Sequence, residues 1–397
     1  MSDTCLITRV AIRNYKSIGA CDVRLGPLSI LVGPNGSGKS NFVDALRFIA
    51  DALRYSLDHA LRDRGGIHEV RRRSSGHPTH FAIRIEFQLS KGRFGHYAFR
   101  IGAKRGAYLV AEEECAIHPG TDGAGKAYYR IKEGVLERIS IEPVPAIPKD
   151  RLFLVNVSGI EAFRPLYDAL ISMGFYNLNP ERIREPQPPD LGELLNRDGS
   201  NMASVLAALK DRDPTVKRRV EEYLATVVPG VHAVAPKAVG PREMLEFKQD
   251  VRGSSHPWRF LATNMSDGTL RALGVLVALF QGPAGLVAIE EPEVALHPAA
   301  AGVLTDSLRD ASNHRQILIT SHSPDLLDDA SLPDSAIQAV VSEDGDTKIG
   351  PLDEAGRSAL RDHLYTAGEL LRMDQLRPDP QATELDVKQL NLFGLDL

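Results

Sequence analysis

The chain predicts an α/β fold: a mixed sheet core, an antiparallel β subdomain beside it and a helical insert. Three observations carry this expectation. The apolar runs LSILVG at 28–33, LVAIE at 286–290 and ILIT at 317–320 lack the alternation of half-solvated strands and read as buried parallel strands. Between 80 and 142, HFAIRIEFQL, HYAFRIGA, AYLVAEEECAI, AYYRIK and GVLERISIE have strand composition and are separated by turns, which suggests a mostly antiparallel sheet. The stretch 163–225 is mainly helical, with a Pro-rich break at 185–190. These readings divide the chain into a first lobe at 1–165, a mainly helical insert at 166–255, a second lobe at 256–345, a C-terminal cap at 346–378 and a disordered tail at 379–397.

The first apolar run leads into GPNGSGKS at 33–40, and SNFVDALRFIADALRYSL then repeats apolar residues at helical spacing, so a helix starts near Lys39. Strand, glycine-rich loop and helix N-terminus together form an anion cradle of backbone N–H groups and helix dipole. Gly33, Gly36 and Gly38 let the backbone approach phosphate oxygens. Lys39 is placed to reach the β- and γ-phosphates of ATP, and the Ser40 hydroxyl to ligate Mg²⁺. Pro34, Asn35, Ser37 and Asn41 complete the set expected around the nucleotide.

LVAIEEPE ends a buried strand in acids. In a P-loop ATPase the neighbouring strand delivers a carboxylate to the metal shell, and the next carboxylate can orient and deprotonate the attacking water. Glu290 is therefore assigned to Mg²⁺ and Glu291 to the water. Pro292 breaks the strand. In ILITSHSP, at 317–324, His322 follows the last apolar strand, where its ring could reach the γ-phosphate.

Taken together these residues resemble the SMC/RecF-like branch of ABC-type ATPases, and within it the single-chain bacterial ATPases of AAA/OLD-like kind. The opening ITRVAIRNYKSIGACDVRLGPLSILVGPNGSGKSN is similar to that branch's N-terminus, including Asn14, Tyr15, Lys16 and Ser17. Glu-Glu-Pro-Glu followed by Leu296, His297 and Pro298 looks like its Walker B and D-loop. Ser266, Asp267 and Gly268 stand where transporter ATPases have Leu-Ser-Gly-Gly-Gln. The resemblance implies a P-loop NTPase of ABC/SMC-head type, an ATP hydrolase that forms a homodimer on binding ATP. It also implies that Ser266, Asp267 and Gly268 contact the nucleotide held by the other subunit, which suits a helix N-terminus with a free hydroxyl. The chain departs from the family at two places: Glu290 replaces the usual Asp, and Asp267 replaces a Gly. The coupling glutamine has no clear counterpart; Gln88, at the end of FAIRIEFQL, is the weak candidate. The middle insert shows no sustained heptad repeat, so the long coiled coil of SMC relatives is not expected.

With 397 residues, 43% apolar and 25% charged, the chain can bury a large core, and a net charge of −5 argues against a uniformly DNA-wrapping surface. Cys5, Cys21 and Cys115 lack metal spacing and fit reduced cytoplasmic thiols. No signal peptide is read, and the apolar stretch 270–289 is interrupted by Gln-Gly-Pro, so no membrane span is expected. The basic clusters Arg71 to Arg73 and Lys217 to Arg219 are modest, leaving duplex DNA a possible partner.

The last residues are sharper. After the polar RPDPQATELDVK, the sequence QLNLF places Gln389, Leu390, Leu392 and Phe393 in an order that resembles the bacterial sliding-clamp-binding motif. Two leucines and a Phe would enter an apolar groove while the Gln fixes register; the alternative is that this end folds back on its own domain. Two functions follow: a clamp-associated ATPase of DNA maintenance or repair, or an anti-phage defence ATPase that senses DNA and controls an effector nuclease. The nuclease is expected on a separate chain, since 344–346 reads as a hairpin turn rather than a Toprim site. A transporter subunit fits less well, because SDG replaces the transporter signature.

Overall fold

Chain order and sheet order differ, and the difference assembles the site. The computed structural model describes residues 5–74, 78–104, 107–121, 123, 125–142, 144–147, 150–282, 285–329, 331–384 and 390–394. Strands β1 (Leu6–Tyr15) and β2 (Ile18–Arg24) form a hairpin, and the chain then leaves it for a second sheet through β3 (Leu28–Val32). It returns through β4 (His80–Gln88), β5 (Phe94–Lys104), β6 (Ala107–His118), β7 (Ala127–Lys132) and β8 (Val135–Ile139). These make a seven-stranded antiparallel sheet in the order β2-β1-β4-β5-β6-β7-β8. Its alternation is that of a sheet with one face on the core: Val10 and Ile12 point inward while Arg9 and Ala11 point outward.

The second sheet gathers β9 (Gly174–Tyr176), then, after the separate three-stranded sheet of β10 (Val231–Val239), β11 (Arg242–Gln249) and β12 (Trp258–Leu261), the late strands. These are β13 (Leu286–Glu290), β14 (Gln316–Ser321), β15 (Ile337–Glu343) and β16 (Asp346–Pro351). Its order is β16-β15-β3-β14-β13-β9, parallel throughout except for the β15–β16 hairpin. The apolar runs sit here, buried on both faces as parallel strands require.

The helix Lys39–Arg54 lies against the inner face of the antiparallel sheet and reaches the parallel one. Its Phe42, Val43, Leu46, Phe48, Ile49 and Leu53 are buried. Phe48 meets Tyr15 and Phe81 edge-on at centroid distances of 6.2 and 5.3 Å, each such ring adding roughly 1.5–3 kcal/mol of burial. The helix stops before Ser56, whose hydroxyl accepts from His59 N and starts the next one. On the other side, Asp267–Phe280 is apolar almost all round and correspondingly enclosed.

Three boundary expectations are corrected. The insert is helical only to Val227; from Val231 the chain pairs β10 with β11, because alternating residues such as Val234, Leu245 and Phe247 have a core face to cover. The cut at 345/346 divides a hairpin, since β16 completes the parallel sheet by pairing with β15. The tail is not disordered where it is described. Pro380–Thr383 forms a short helix, and residues 390–394 fold back on the antiparallel sheet, where Leu390, Leu392 and Phe393 pack against Ala11, Ala20, Ala82 and Ala98. Gln389 lies outside the described residues.

Candidate functional site

Three adjacent parallel strands end at the same edge. Glu290 pairs with Thr320 across β13 and β14, and Ser321 pairs with Val32 across β14 and β3. With neighbouring strands about 4.8 Å apart, this register sets the glycine-rich loop, the 320–322 segment and the acidic pair side by side. It is the carboxyl edge where open α/β sheets place ligands.

The loop is built by close packing. A Cβ on Gly33 would lie 2.0 Å from Val340 O, and one on Gly38 would lie 2.0 Å from Thr347 Oγ1; Gly38 also has φ of 105°. The late hairpin β15–β16 therefore forms the floor of a loop written three hundred residues earlier. No side chain caps the helix Lys39–Arg54, so its N-terminus keeps N–H groups and dipole for an anion. Lys39 Nζ is folded over the loop, donating to Gly33 O at 2.7 Å and Pro34 O at 3.0 Å. Burial lowers the Lys39 pKa, opposed by attraction from Glu291 and Glu293. Ser37 Oγ is buried without a hydrogen-bond partner, while Pro34, Asn35, Gly36 and Ser40 are exposed. Asn41 donates to Ser17 Oγ at 2.6 Å, which in turn lies 2.7 Å from Thr347 Oγ1.

On the acidic side, Glu291 occupies a left-handed conformation, φ 48°, a strain of order ~1–3 kcal/mol for a non-glycine residue. Its surroundings hold it there. Its N–H donates to Thr320 O at 3.0 Å, its carbonyl accepts from Arg271 at 2.9 Å, and its Oε1 lies 3.1 Å from His322 Nδ1. Glu293 was not singled out by the sequence. Its Oε1 accepts from Ser321 Oγ at 2.5 Å, its Oε2 is buried and unpartnered, and burial raises its pKa. Glu290 is engaged differently: Arg197 Nη2 donates to its Oε1 at 2.9 Å, so only its second oxygen is uncommitted to that pair.

Ser266, Asp267 and Gly268 sit elsewhere. Ser266 caps Asp267–Phe280, its Oγ accepting from Thr269 N, and both Ser266 and Asp267 are exposed. Arg184 bridges Asp267 Oδ1 at 2.5 Å and Met265 O at 3.2 Å, offsetting the charge of that carboxylate. Gly268 packs on the loop after β13: a Cβ there would lie 2.4 Å from Ala295 O. Arg271, one turn on, ties the same helix to the carbonyls of Leu178, Glu290 and Glu291. Among described residues, the Ser266 and Asp267 side chains bond to Thr269 and Arg184 respectively, not to the glycine-rich loop.

Other candidates separate from the site. Gln88 pairs with Leu6, at the opposite end of the ten-residue β1 from the Tyr15 end that braces the loop helix, roughly 30 Å away by strand rise. It is not the coupling glutamine. The basic clusters are largely spent internally: Arg72 on Asp346, Arg73 on Glu69, Lys217 on Glu221 and Arg219 on Asp310.

The family profile described as "AAA domain, putative AbiEii toxin, Type IV TA system" matches residues 28–132 and 153–328. The "Old nuclease" of Escherichia phage P2 is 22% identical over 385 residues, 86% of this chain; the chain spans 60% of that relative's length. Among solved structures, an Smc head bound to the C-winged helix domain of ScpA superposes with a TM-score of 0.54 at 16% identity, covering 88% of this chain and 99% of that one. No helix among the described residues is long and apolar enough to cross a membrane.

Proposed function

Because the chain belongs to this AAA-domain family and has the fold of an SMC-type ATPase head, we propose that it hydrolyses ATP at a site completed by a second copy of itself. The observation that carries the reading is the meeting of Lys39, Glu291, Glu293 and His322 around an uncapped helix N-terminus at one sheet edge. The orphaned Ser37 hydroxyl and the open N–H groups fit a triphosphate, and the exposed Ser40 with the free oxygen of Glu290 fits Mg²⁺. The metal nucleotide, when bound, supplies the phosphoryl group and the charge neutralisation for its transfer.

Lys39 leaves the Gly33 and Pro34 carbonyls to meet phosphate. Glu291 orients water and takes its proton, and His322 fixes the carboxylate that does so. Ser266, on an exposed helix N-terminus, serves the partner's nucleotide rather than its own. ATP thus joins two copies and hydrolysis parts them. The decisive experiment is a solution mass measurement of Glu291→Gln with ATP. A dimer that appears with ATP supports the reading; a monomer at saturating ATP ends it.

For the biological role we propose a DNA-maintenance or repair ATPase working at DNA with the sliding clamp, which the QLNLF tail motif supports. The phage P2 relative's name and the toxin wording of the family description favour a second reading, a defence ATPase controlling a nuclease on another chain. Pull-downs with and without Leu392→Ala and Phe393→Ala separate the two. A clamp recovered only by the unaltered chain supports maintenance, and a nuclease recovered by both supports defence.

A further inference from the structure

We propose that the outer face of the antiparallel sheet is a docking trough for the chain's own residues 390–394, and that docking withholds Leu390, Leu392 and Phe393 from any external groove.

The trough is written into the strands. The inner face of this sheet carries the large aromatics, whereas on the outer face four neighbouring strands present Ala11, Ala20, Ala82 and Ala98. The register sets arginines between them: Arg84 lies across from Ala11 and Ala98, Arg100 across from Ala82, and Arg13 across from Ala20 and Ala82. The result is a checkerboard of methyl-deep pits walled by guanidinium stems, a shape that accepts branched and aromatic side chains. The alanines are 0–4% exposed with the segment seated, and Leu392 is 3% exposed.

Three further contacts fix the segment's direction. Arg84 Nη1 donates to Leu392 O at 3.2 Å, Gly394 N donates to Glu114 Oε1 at 2.8 Å, and the Arg100 guanidinium lies 4.8 Å from the Phe393 ring centroid. Glu114 is itself buried and held by His96. Residues 390–394 join no strand ladder, so the segment is retained by its side chains and a few polar contacts and can leave without unpairing the sheet.

The consequence is exclusion. The three apolar side chains seated here are those the clamp reading would insert into a partner, and one segment cannot occupy both places. Only the identity of that partner rests on the reading given above; the docking does not. If a tenth of the chains have the segment free, apparent affinity for an external groove falls about tenfold.

Hydrogen exchange on the full chain reads the dock directly. The Gly394 amide is expected to be protected in the wild-type chain, and protection should fall at least about tenfold in Ala98→Leu, whose side chain fills the trough. Leu392→Ala with Phe393→Ala should lose protection from the peptide side, leaving the sheet untouched. Free-peptide exchange at Gly394 in the wild-type chain overturns the docking. Binding to purified bacterial sliding clamp supplies the second readout, with Ala98→Leu expected to bind about tenfold more tightly than wild type. Equal affinities, with protection lost in the variant, overturn the withholding. Clamp bound by neither chain, with protection behaving as expected, removes the clamp from the account while the dock stands.

Discussion

Glu291 shows how much the fold invests in one side chain. Its backbone sits at φ 48°, and Thr320, Arg271 and His322 hold its N–H, carbonyl and carboxylate respectively. Glu291→Gln keeps the shape and removes the carboxylate proposed as the base. It is expected to bind ATP normally and to lose turnover by about 10²–10⁴, measured as phosphate release; turnover within a few fold of wild type would assign the base elsewhere. Lys39→Ala removes the ammonium that now spans the Gly33 and Pro34 carbonyls. Nucleotide binding by calorimetry should be lost, and undiminished binding would contradict the phosphate cradle.

At the scale of elements, the Asn14–Ser17 turn is the brace of the loop helix, and Asp44 is its hub. Asp44 accepts from Tyr15 OH at 2.8 Å and pairs with Lys16, Arg47 and the buried Arg64. Burial raises its pKa, but Arg64, Lys16 and Arg47 outweigh that and hold it below the usual carboxylate range. A depressed folded-state pKa contributes stability that is complete above the unfolded value of about 3.9 and is lost as pH falls through that region toward the folded value. Thermal midpoints should therefore drop between about pH 5 and pH 2 more steeply for wild type than for Asp44→Asn; parallel curves would show that the cluster does not titrate with folding. At neutral pH Asp44→Ala leaves Arg64 buried with fewer partners and should cost about 3 kcal/mol, read in denaturant unfolding.

For the whole molecule, the feature to test is the distance between the two halves of the machinery. Loop, acids and His322 converge at one edge, whereas Ser266 and Asp267 face solvent on another helix. On the dimer proposed above, that arrangement is idle in one copy and complete in two. Deleting 388–397 should leave ATPase turnover and ATP-dependent dimerisation within about twofold of wild type, since residues 390–394 dock on the outer face of the antiparallel sheet and not at the parallel-sheet edge that holds the loop, the acids and His322, while clamp affinity is lost. Turnover that collapses on deletion would instead make the docked tail part of the enzyme's working surface.

Legibility followed the range of the signal. The glycine-rich loop, the strand before it and the helix after it are contiguous, so a local pattern with a physical reason revealed them. The acids and His322 were read the same way, each at the end of an apolar run. Glu293 was within reach, because it stands in the same acidic run and its partner Ser321 adjoins His322. Arg197, Arg184 and Arg271 were not legible, for they arrive from separate segments whose spacing carries no motif.

By itself, then, the sequence determined the fold class, the family resemblance and the position of the glycine-rich loop, because strand, turn and helix N-terminus are short-range physics. Tertiary structure decided which arginine neutralises which carboxylate, why Gly33 and Gly38 have no room for a side chain, and where the tail goes. Those outcomes depend on strand register between segments hundreds of residues apart, and register is set only when the apolar faces of both sheets have been buried together.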